Sequence, residues 1–267
     1  MAGDDFLVRA LPKVGKRVFR LGLSASYGLD EAGAREALAA GMNYVFWSRF
    51  AKPLTAALKD EIRRDRERLV IASGPTLGYT RGGVRRAAEN ALRLLGTDYL
   101  DVFQLYWLGK MSAWTAGTRA ELVRLREEGK VRALGVSIHD RSRAGRLAED
   151  SPLDLFMIRY NAAHPGAERD VFPHLGTRRP AVVAYTATSW RKLLRAPRGW
   201  SRPAATAGDC YRFCLSSPHV DVVLSAPGNA ENLKANLTAL QKGPLSADEM
   251  AFMRELGRAV HGQALAP

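Results

Sequence analysis

Apolar and polar positions alternate along the chain with two different periods, and residues 92–137 show both. Residues 99–107 are almost all apolar, aromatic or β-branched, which is typical of a strand buried on both faces. Leu122 and Leu125 stand among charged residues and predict an amphipathic helix, and residues 131–136 predict the next strand. Two parallel strands joined by a helix of this length form a βαβ unit.

The same alternation of strand and helix occurs eight times along the chain. Polar residues that favour the N-terminal cap of a helix, Asp30, Asn229 and Ser246, precede three of the helices. Eight βα units without a break in composition predict a single (β/α)8 (TIM) barrel domain over residues 1–267. The predicted strands are residues 19–25, 43–48, 69–73, 99–107, 131–136, 153–160, 181–185 and 220–225.

The chain is strongly basic, with 40 Lys and Arg against 27 Asp and Glu and a formal net charge of +13. The basic residues are spread over most helices, and no arginine-rich tail or nucleic-acid module is present. A solvated basic surface is therefore favoured over a nucleic-acid interface. No apolar stretch reaches the length of a membrane span, and the N-terminus has no apolar signal-peptide region. We expect a cytoplasmic protein that does not bind membranes, and the sequence assigns no oligomeric state.

Cys210 and Cys214 lie four residues apart on one predicted helix. Both then face the same side, where disulfide geometry is rarely met. A metal site would need further ligands, and His219 alone gives little support for one. We expect a buried structural pair and no metal site.

Function in (β/α)8 barrels lies at the carboxyl ends of the strands, so a small-molecule ligand is expected at that mouth. Arg49 at the second strand end either binds an anion there or is solvated. His139 and Asp140 follow the fifth strand and have the pattern of a helix start, with Asp140 as the cap. The irregular segment 188–203 is long enough to fold over the mouth.

Four segments, in order along the chain, resemble the aldo-keto reductase superfamily. They are LRLLGTDYLDVFQLYW (92–107), EEGKVRALGVS (127–137), VVAYTA (182–187) and VVLSAPGNAENLKANL (222–237). The resemblance implies reduction of carbonyl compounds with a nicotinamide cofactor by an Asp, Tyr, Lys and His tetrad. In that chemistry the Tyr gives its proton to the carbonyl oxygen. It needs the cationic Lys because an unperturbed phenol holds its proton too tightly at neutral pH.

This sequence replaces all four tetrad residues. Phe46 stands at the Asp position, Ala51 at the Tyr position (Phe50 if the register shifts by one), Gly74 at the Lys position and Tyr106 at the His position. Phe and Ala cannot donate a proton, and Gly cannot lower the pKa of a phenol. Tyr106 is the candidate catalytic residue, as an acid or an orienting group; its alternative is an aromatic ring that fills space.

The positions that would hold the nicotinamide are partly kept. The resemblance implies that Ser137 binds the carboxamide and that Tyr185 stacks on the ring. Ile138 and Met157, however, stand where an Asn and a Gln would share the carboxamide. The nicotinamide contacts are therefore expected to be weakened.

The positions that would bind the adenosine end of the dinucleotide are also only partly kept. Gly228 and Asn236 resemble the adenosine-binding turn and helix, and the helix N-terminus after Asn229 suits a pyrophosphate. Ala226 and Asn232 stand where basic residues would bind a 2′-phosphate. The resemblance thus implies NAD(P)(H) with a weakened 2′-phosphate contact, or no dinucleotide at all.

Two functions remain open on these residues. One is a nicotinamide-dependent oxidoreductase of carbonyl compounds with altered or impaired chemistry. The alternative is a catalytically silent barrel, a pseudoenzyme that binds a ligand or a partner.

Overall fold

A computed structural model describes residues 6–24 and 28–264 of the chain. The strands are β1 (Val8–Ala10), β2 (Arg17–Phe19), β3 (Leu21–Ser24), β4 (Tyr44–Phe46), β5 (Val70–Ser73), β6 (Leu100–Leu105), β7 (Val131–Ile138), β8 (Leu155–Arg159), β9 (Ala181–Tyr185) and β10 (Val222–Ser225). The helices are α1 (Glu31–Ala39), α2 (Lys52–Asp65), α3 (Arg81–Leu95), α4 (Ala116–Glu127), α5 (Arg141–Glu149), α6 (Ala167–Asp170), α7 (Ala207–Leu215), α8 (Ala230–Leu240) and α9 (Ala247–Ala264).

Strands β3 to β10 form a closed parallel barrel in sequence order. β10 pairs with β9 on one side and with β3 on the other, which closes the ring. Helices follow the barrel strands, as the βα alternation predicted, and the (β/α)8 prediction is confirmed. None of the helices in the described residues is long and apolar enough to cross a membrane.

The first predicted strand, residues 19–25, is wrong at its start. Phe19 ends β2, which pairs antiparallel with β1, and the barrel strand begins only at Leu21. This hairpin could not be predicted from the sequence because three-residue strands are too short to show a period. The predicted strand end at Ala25 lies outside the described residues.

The hairpin of β1 and β2 closes the amino end of the barrel. Leu11, Val14 and Val18 are buried and pack in one cluster with inward-facing strand residues such as Val102 and Val183. A second and larger apolar cluster fills the layer between the strands and the helices. Each barrel strand is thus buried on both faces, which explains the nearly continuous apolar runs of the sequence.

Four polar side chains at the starts of alternate strands connect neighbouring strands at the amino end. Three of them accept a hydrogen bond from the backbone N–H of a residue in the preceding barrel strand, and Asn43 accepts one from Phe19 at the end of β2. Three of the four are aspartates that also pair with an arginine: Arg66, Arg126 and Arg179. The four acceptors and their donors are Asn43 with Phe19 (2.8 Å), Asp101 with Ile71 (2.9 Å), Asp154 with Leu134 (2.9 Å) and Asp221 with Val182 (2.8 Å).

The predicted local signals are confirmed where the structure describes them. Asp30 and Asn229 cap α1 and α8 through their side-chain oxygens, and Ser246 exchanges both bonds of a capping box with Glu249. Cys210 and Cys214 are buried and free, as expected of a structural pair.

Candidate functional site

The mouth of the barrel is formed by the side chains that point inward at the carboxyl ends of the strands. Side chains alternate between the two faces of a strand, so residues two apart share the interior. Tyr44 and Met157 belong to the inner cluster. The same parity places Phe46 and Arg159 at the rim, and Tyr185 packs against that cluster from the end of β9.

Two of the four tetrad positions are apolar and cannot take part in proton transfer. Phe46 is half-buried, and its ring lies 5.4 Å from that of Tyr106 between centroids. Ala51 is buried at the start of α2. The two tetrad positions on this side of the mouth, Phe46 on β4 and Ala51 at the start of α2, therefore carry no polar side chain.

Gly74, at the lysine position, has no space for a side chain. A Cβ placed on it would lie 1.9 Å from the Gln104 carbonyl oxygen and 2.7 Å from the Tyr106 ring. Real Cβ atoms do not approach backbone oxygen so closely, so any other residue would force β5 and β6 apart. The cation that lowers the phenol pKa in the family mechanism cannot be supplied from this position as the barrel is packed.

Tyr106 fills part of the region where the tetrad would meet. Its hydroxyl lies 3.4 Å from the Trp47 carbonyl oxygen, to which it donates. Burial raises the pKa of the Tyr106 phenol well above its ordinary value, and hydrogen bonding with Ser73 and the Gly74 backbone offsets only part of this. A raised pKa makes the phenol a weaker acid. The catalytic role of Tyr106 stays a prediction, and this environment counts against it.

The polar groups of the mouth lie on the opposite side, along β7, β8 and β9. The Tyr185 hydroxyl is 2.8 Å from His139 Nε2, and the His139 ring lies 5.2 Å from the Trp107 ring between centroids. Arg159 is the register partner of Tyr185 on the neighbouring strand. Its guanidinium lies 5.7 Å from the centre of the Trp190 ring. The segment after β9 thus reaches the rim, as its length suggested.

Burial and the positive charge of Arg159 shift the pKa values of His139 and Tyr185. Desolvation, with a smaller effect of the Arg159 charge, lowers the pKa of His139 below its ordinary value. Burial raises the pKa of Tyr185 to about 12, against the opposing effect of Arg159. His139 and Tyr185 are therefore both uncharged at neutral pH, and Arg159 supplies the positive charge.

The sequence interpretation of His139 as part of a helix start missed its place in the mouth. Asp140 does cap α5, accepting from the Arg143 N–H at 2.9 Å. His139 directly precedes this cap and follows the carboxyl end of β7. Its side chain therefore also lies at the mouth of the barrel. Its position two residues after Ser137, with the parity of an inward-facing residue, was the signal that could have revealed it.

Ser137 retains a free hydroxyl. The residue is 7% exposed, and its side chain has no hydrogen-bond partner within residues 6–24 and 28–264. Its register partner on β8 is Met157, whose sulfur accepts a bond of 3.2 Å from Gln104 Nε2. A thioether has no proton to donate, so Met157 cannot replace an amide as a partner for a carboxamide. Binding of a nicotinamide by Ser137 and Tyr185 stays a prediction, and neither Ile138 nor Met157 carries an amide group that could share the carboxamide.

The predicted adenosine-end residues lie around the start of α8. Gly228 and Asn232 are exposed, and the Asn232 N–H is used by the Asn229 cap. Asn236 is buried, and its amide donates to Ser225 Oγ at 3.3 Å. Asn236 thus has an internal partner in this structure. Binding of a dinucleotide by these three residues stays a prediction.

Comparison with known proteins identifies the family. The sequence model of the aldo/keto reductase family matches residues 31–193, more than half of the chain. The chain belongs to the aldo/keto reductase family. It is 26% identical over 194 residues to the methylglyoxal reductase YeaE of Escherichia coli K12, covering 70% of this chain and 67% of that protein. It is 25% identical over 138 residues to the aldo-keto reductase YhdN of Bacillus subtilis, covering 48% of this chain and 41% of YhdN.

Solved structures of aldo-keto reductases share the fold. The holo form of AKR11C1 from Bacillus halodurans superposes with a TM-score of 0.77 at 21% identity, covering 94% of this chain and 96% of that one. An aldo-keto reductase from Klebsiella pneumoniae in complex with NADPH gives 0.77 at 22% identity, covering 94% and 95%. At this identity the similarity shows the fold alone.

Proposed function

We propose that this protein binds a nicotinamide dinucleotide across the β7 to β10 side of the mouth and reduces carbonyl compounds by impaired chemistry without the tetrad. The Ser137 hydroxyl, which has no hydrogen-bond partner in the described residues and lies two strands from Tyr185 in the barrel, is the observation that carries the proposal. Support also comes from the family, whose relative YeaE is named a methylglyoxal reductase, and from a related structure holding NADPH. A reduced nicotinamide would supply hydride to the carbonyl carbon.

The residues of this chain would bind and orient the cofactor better than they would deliver a proton. Ser137 accepts from or donates to the carboxamide, Tyr185 offers its ring, and the start of α8 offers backbone N–H groups to phosphate. Arg159 adds a positive charge that has no carboxylate partner in the described part of the chain. The lysine position next to Tyr106 is Gly74, which carries no charge, so protonation of the alkoxide is the weak step.

The first experiment titrates the purified protein with NADPH and with NADH, followed by calorimetry and tryptophan fluorescence. Micromolar binding of both forms is expected, differing by less than about fivefold because Ala226 and Asn232 provide no cation for a 2′-phosphate. Ser137→Ala should weaken binding, whereas Ser201→Ala, in an exposed loop, should not. Failure of both dinucleotides to bind would refute the proposal.

The second experiment measures NADPH oxidation with methylglyoxal. A general acid typically contributes about 10²–10⁴-fold to a rate. We expect slow turnover, and we expect Tyr106→Phe to lower it by less than about tenfold because the raised pKa makes this phenol a weak acid. A larger loss at unchanged NADPH affinity would establish Tyr106 as the acid.

The second candidate function is a silent ligand-binding barrel. The packing around Gly74 favours it, since the missing lysine cannot be restored without moving β6. It predicts that NADPH binds, or fails to bind, with no carbonyl turnover at any substrate concentration. Turnover that copurifies with a single species and disappears in Ser137→Ala would exclude it.

A further inference from the structure

A cavity of about 310 Å³ lies on the other side of the barrel from Ser137 and Tyr185. It opens between the carboxyl ends of β4 and β5 and helix α3. Gly74 and Tyr106 form its inner end, and Arg49 and Arg86 lie on opposite walls. None of the proposed dinucleotide contacts lines it.

Both arginines are free of carboxylates. Arg49 lies over the Phe50 ring at 4.7 Å, and neither Arg49 nor Arg86 forms an ion pair within residues 6–24 and 28–264. Neighbouring arginines of α3 differ in this respect. Arg81 and Arg85 both bind the buried Glu121, at 2.7 and 2.5 Å. The guanidinium groups of Arg49 and Arg86, which have no carboxylate partner in the described residues, therefore line the same cavity.

The remaining walls suit a small ligand with one anionic group. Within residues 6–24 and 28–264, no Asp or Glu lines the cavity, so no side-chain carboxylate from this part of the chain opposes the positive charge. Ser48, Thr76 and Asn90 supply hydrogen-bond donors, while Leu77 and Leu94 supply apolar surface. Convergent polar groups on mainly apolar walls, at the lower end of the usual size range, are typical of small-molecule sites. Guanidinium groups bind carboxylate and phosphate in paired hydrogen bonds.

We propose that this cavity binds a small organic anion, a carboxylate or a phosphate monoester carried on a compact apolar body. The site does not depend on the proposed dinucleotide. Arg49 and Arg86 hold the anionic group, and Leu77 and Leu94 contact the apolar part. Tyr106 and Ser73 at the inner end connect it to the barrel interior.

Calorimetric titration with phenyl phosphate and with benzoate tests the site and distinguishes the two anion types. Benzyl alcohol is the uncharged control ligand. Arg49→Gln and Arg86→Gln should each weaken binding of the preferred anion by about tenfold, the loss of one charged hydrogen-bonding group. Arg146→Gln removes the same charge from an exposed position on α5 and should change affinity by less than about twofold.

A variant that fills the cavity provides a test independent of charge. Ala87→Phe, on the α3 wall, should abolish anion binding while NADPH affinity stays unchanged. Absence of binding by both anions to the unaltered protein would overturn the inference, as would an equal loss in Arg146→Gln. Binding of phenyl phosphate without any binding of NADPH would refute the proposed function and leave this site established.

Discussion

The two ends of the barrel differ in whether their charged side chains have partners of opposite charge. At the amino end, Asp101 and Asp221 are fully buried, and each accepts a backbone N–H and pairs with at least two cations. At the carboxyl end, the four tetrad positions carry two apolar residues, a glycine and a phenol with a raised pKa. The charged groups Arg49, Arg86 and Arg159 near the mouth have no carboxylate partners in the described residues.

This difference separates the residues that stabilise the fold from the residues that face a ligand at the mouth. Side chains at the amino end satisfy one another and hold adjacent strands in register, which is how that face of a (β/α)8 barrel normally contributes. At the mouth, the guanidinium groups of Arg49, Arg86 and Arg159 have no carboxylate partner in the described residues, so they remain available to ligands.

The largest effect is expected from Asp101→Ala. Asp101 accepts from the Ile71 N–H at 2.9 Å and pairs with Lys16 at 2.9 Å and Arg66 at 2.7 Å. Removing it leaves the Ile71 N–H without this acceptor and removes the buried carboxylate that Lys16 and Arg66 share, so the free energy of unfolding in urea should fall by about 3–5 kcal/mol. The exposed pair of Arg202 and Glu255 is the control, since Glu255→Gln should cost less than about 1 kcal/mol. Equal losses would contradict the contrast between buried and exposed pairs.

At the mouth, Gly74→Ala should destabilise the protein by about 1–3 kcal/mol because the added methyl group overlaps the Gln104 carbonyl. Gly82→Ala on α3, where an added Cβ meets nothing within 4 Å, is the matched control. It should be neutral or stabilising by up to about 1 kcal/mol, the difference in helix propensity. Urea unfolding of both variants measures this, and a neutral Gly74→Ala would mean that the lysine position can be refilled.

Lowering the pH should weaken the ion pair between Arg212 and Glu249. Arg212 lowers the pKa of Glu249 to about 2, mainly by hydrogen bonding, with a smaller effect of the Ser246 N–H. The folded-state pKa lies below the unfolded value, so this stability is present above the unfolded pKa and is lost as pH falls from about 5 towards 2.

Urea unfolding measured across that pH range should show the loss, and Glu249→Gln should reduce its slope. Glu127→Gln, which removes a carboxylate without an ion pair in the described residues, should leave the slope unaltered. The same slope in Glu249→Gln as in the unaltered protein would show that other carboxylates dominate.

The smallest effects are expected inside the barrel. Tyr106→Phe should cost less than about 1 kcal/mol, because the hydrogen bond from its hydroxyl to the Trp47 carbonyl oxygen is long, at 3.4 Å. Tyr44→Phe should be neutral or stabilising, since the buried Tyr44 hydroxyl has no partner in the described residues. Thermal unfolding ranks the pair; a large loss in Tyr106→Phe would show that its hydroxyl has a stronger contact than the Trp47 carbonyl.

The sequence predicted the fold well because its signals are local. Residues 181–185 form β9 with the predicted bounds, and Asp30, Asn229 and Ser246 act as the caps that their positions indicated. The family motifs also place Phe46 and Gly74 at predicted tetrad positions, and the absence of the usual chemistry stays a prediction. The hairpin of β1 and β2 escaped prediction because its stabilising contacts are made with distant inward-facing strand residues.

The sequence by itself determined the order of the eight barrel strands, several helix caps and the residues at the predicted tetrad positions, since each depends on periodicity or on residue identity at one position. Only the tertiary structure decided which side chains meet. It brought His139 to Tyr185 across 46 positions, set Arg159 next to Tyr185 on the neighbouring strand, and placed Arg49 and Arg86 in the lining of one cavity. Barrel closure joins elements that are far apart in the chain. The pattern of residues along one strand or helix therefore does not indicate which other elements it will contact.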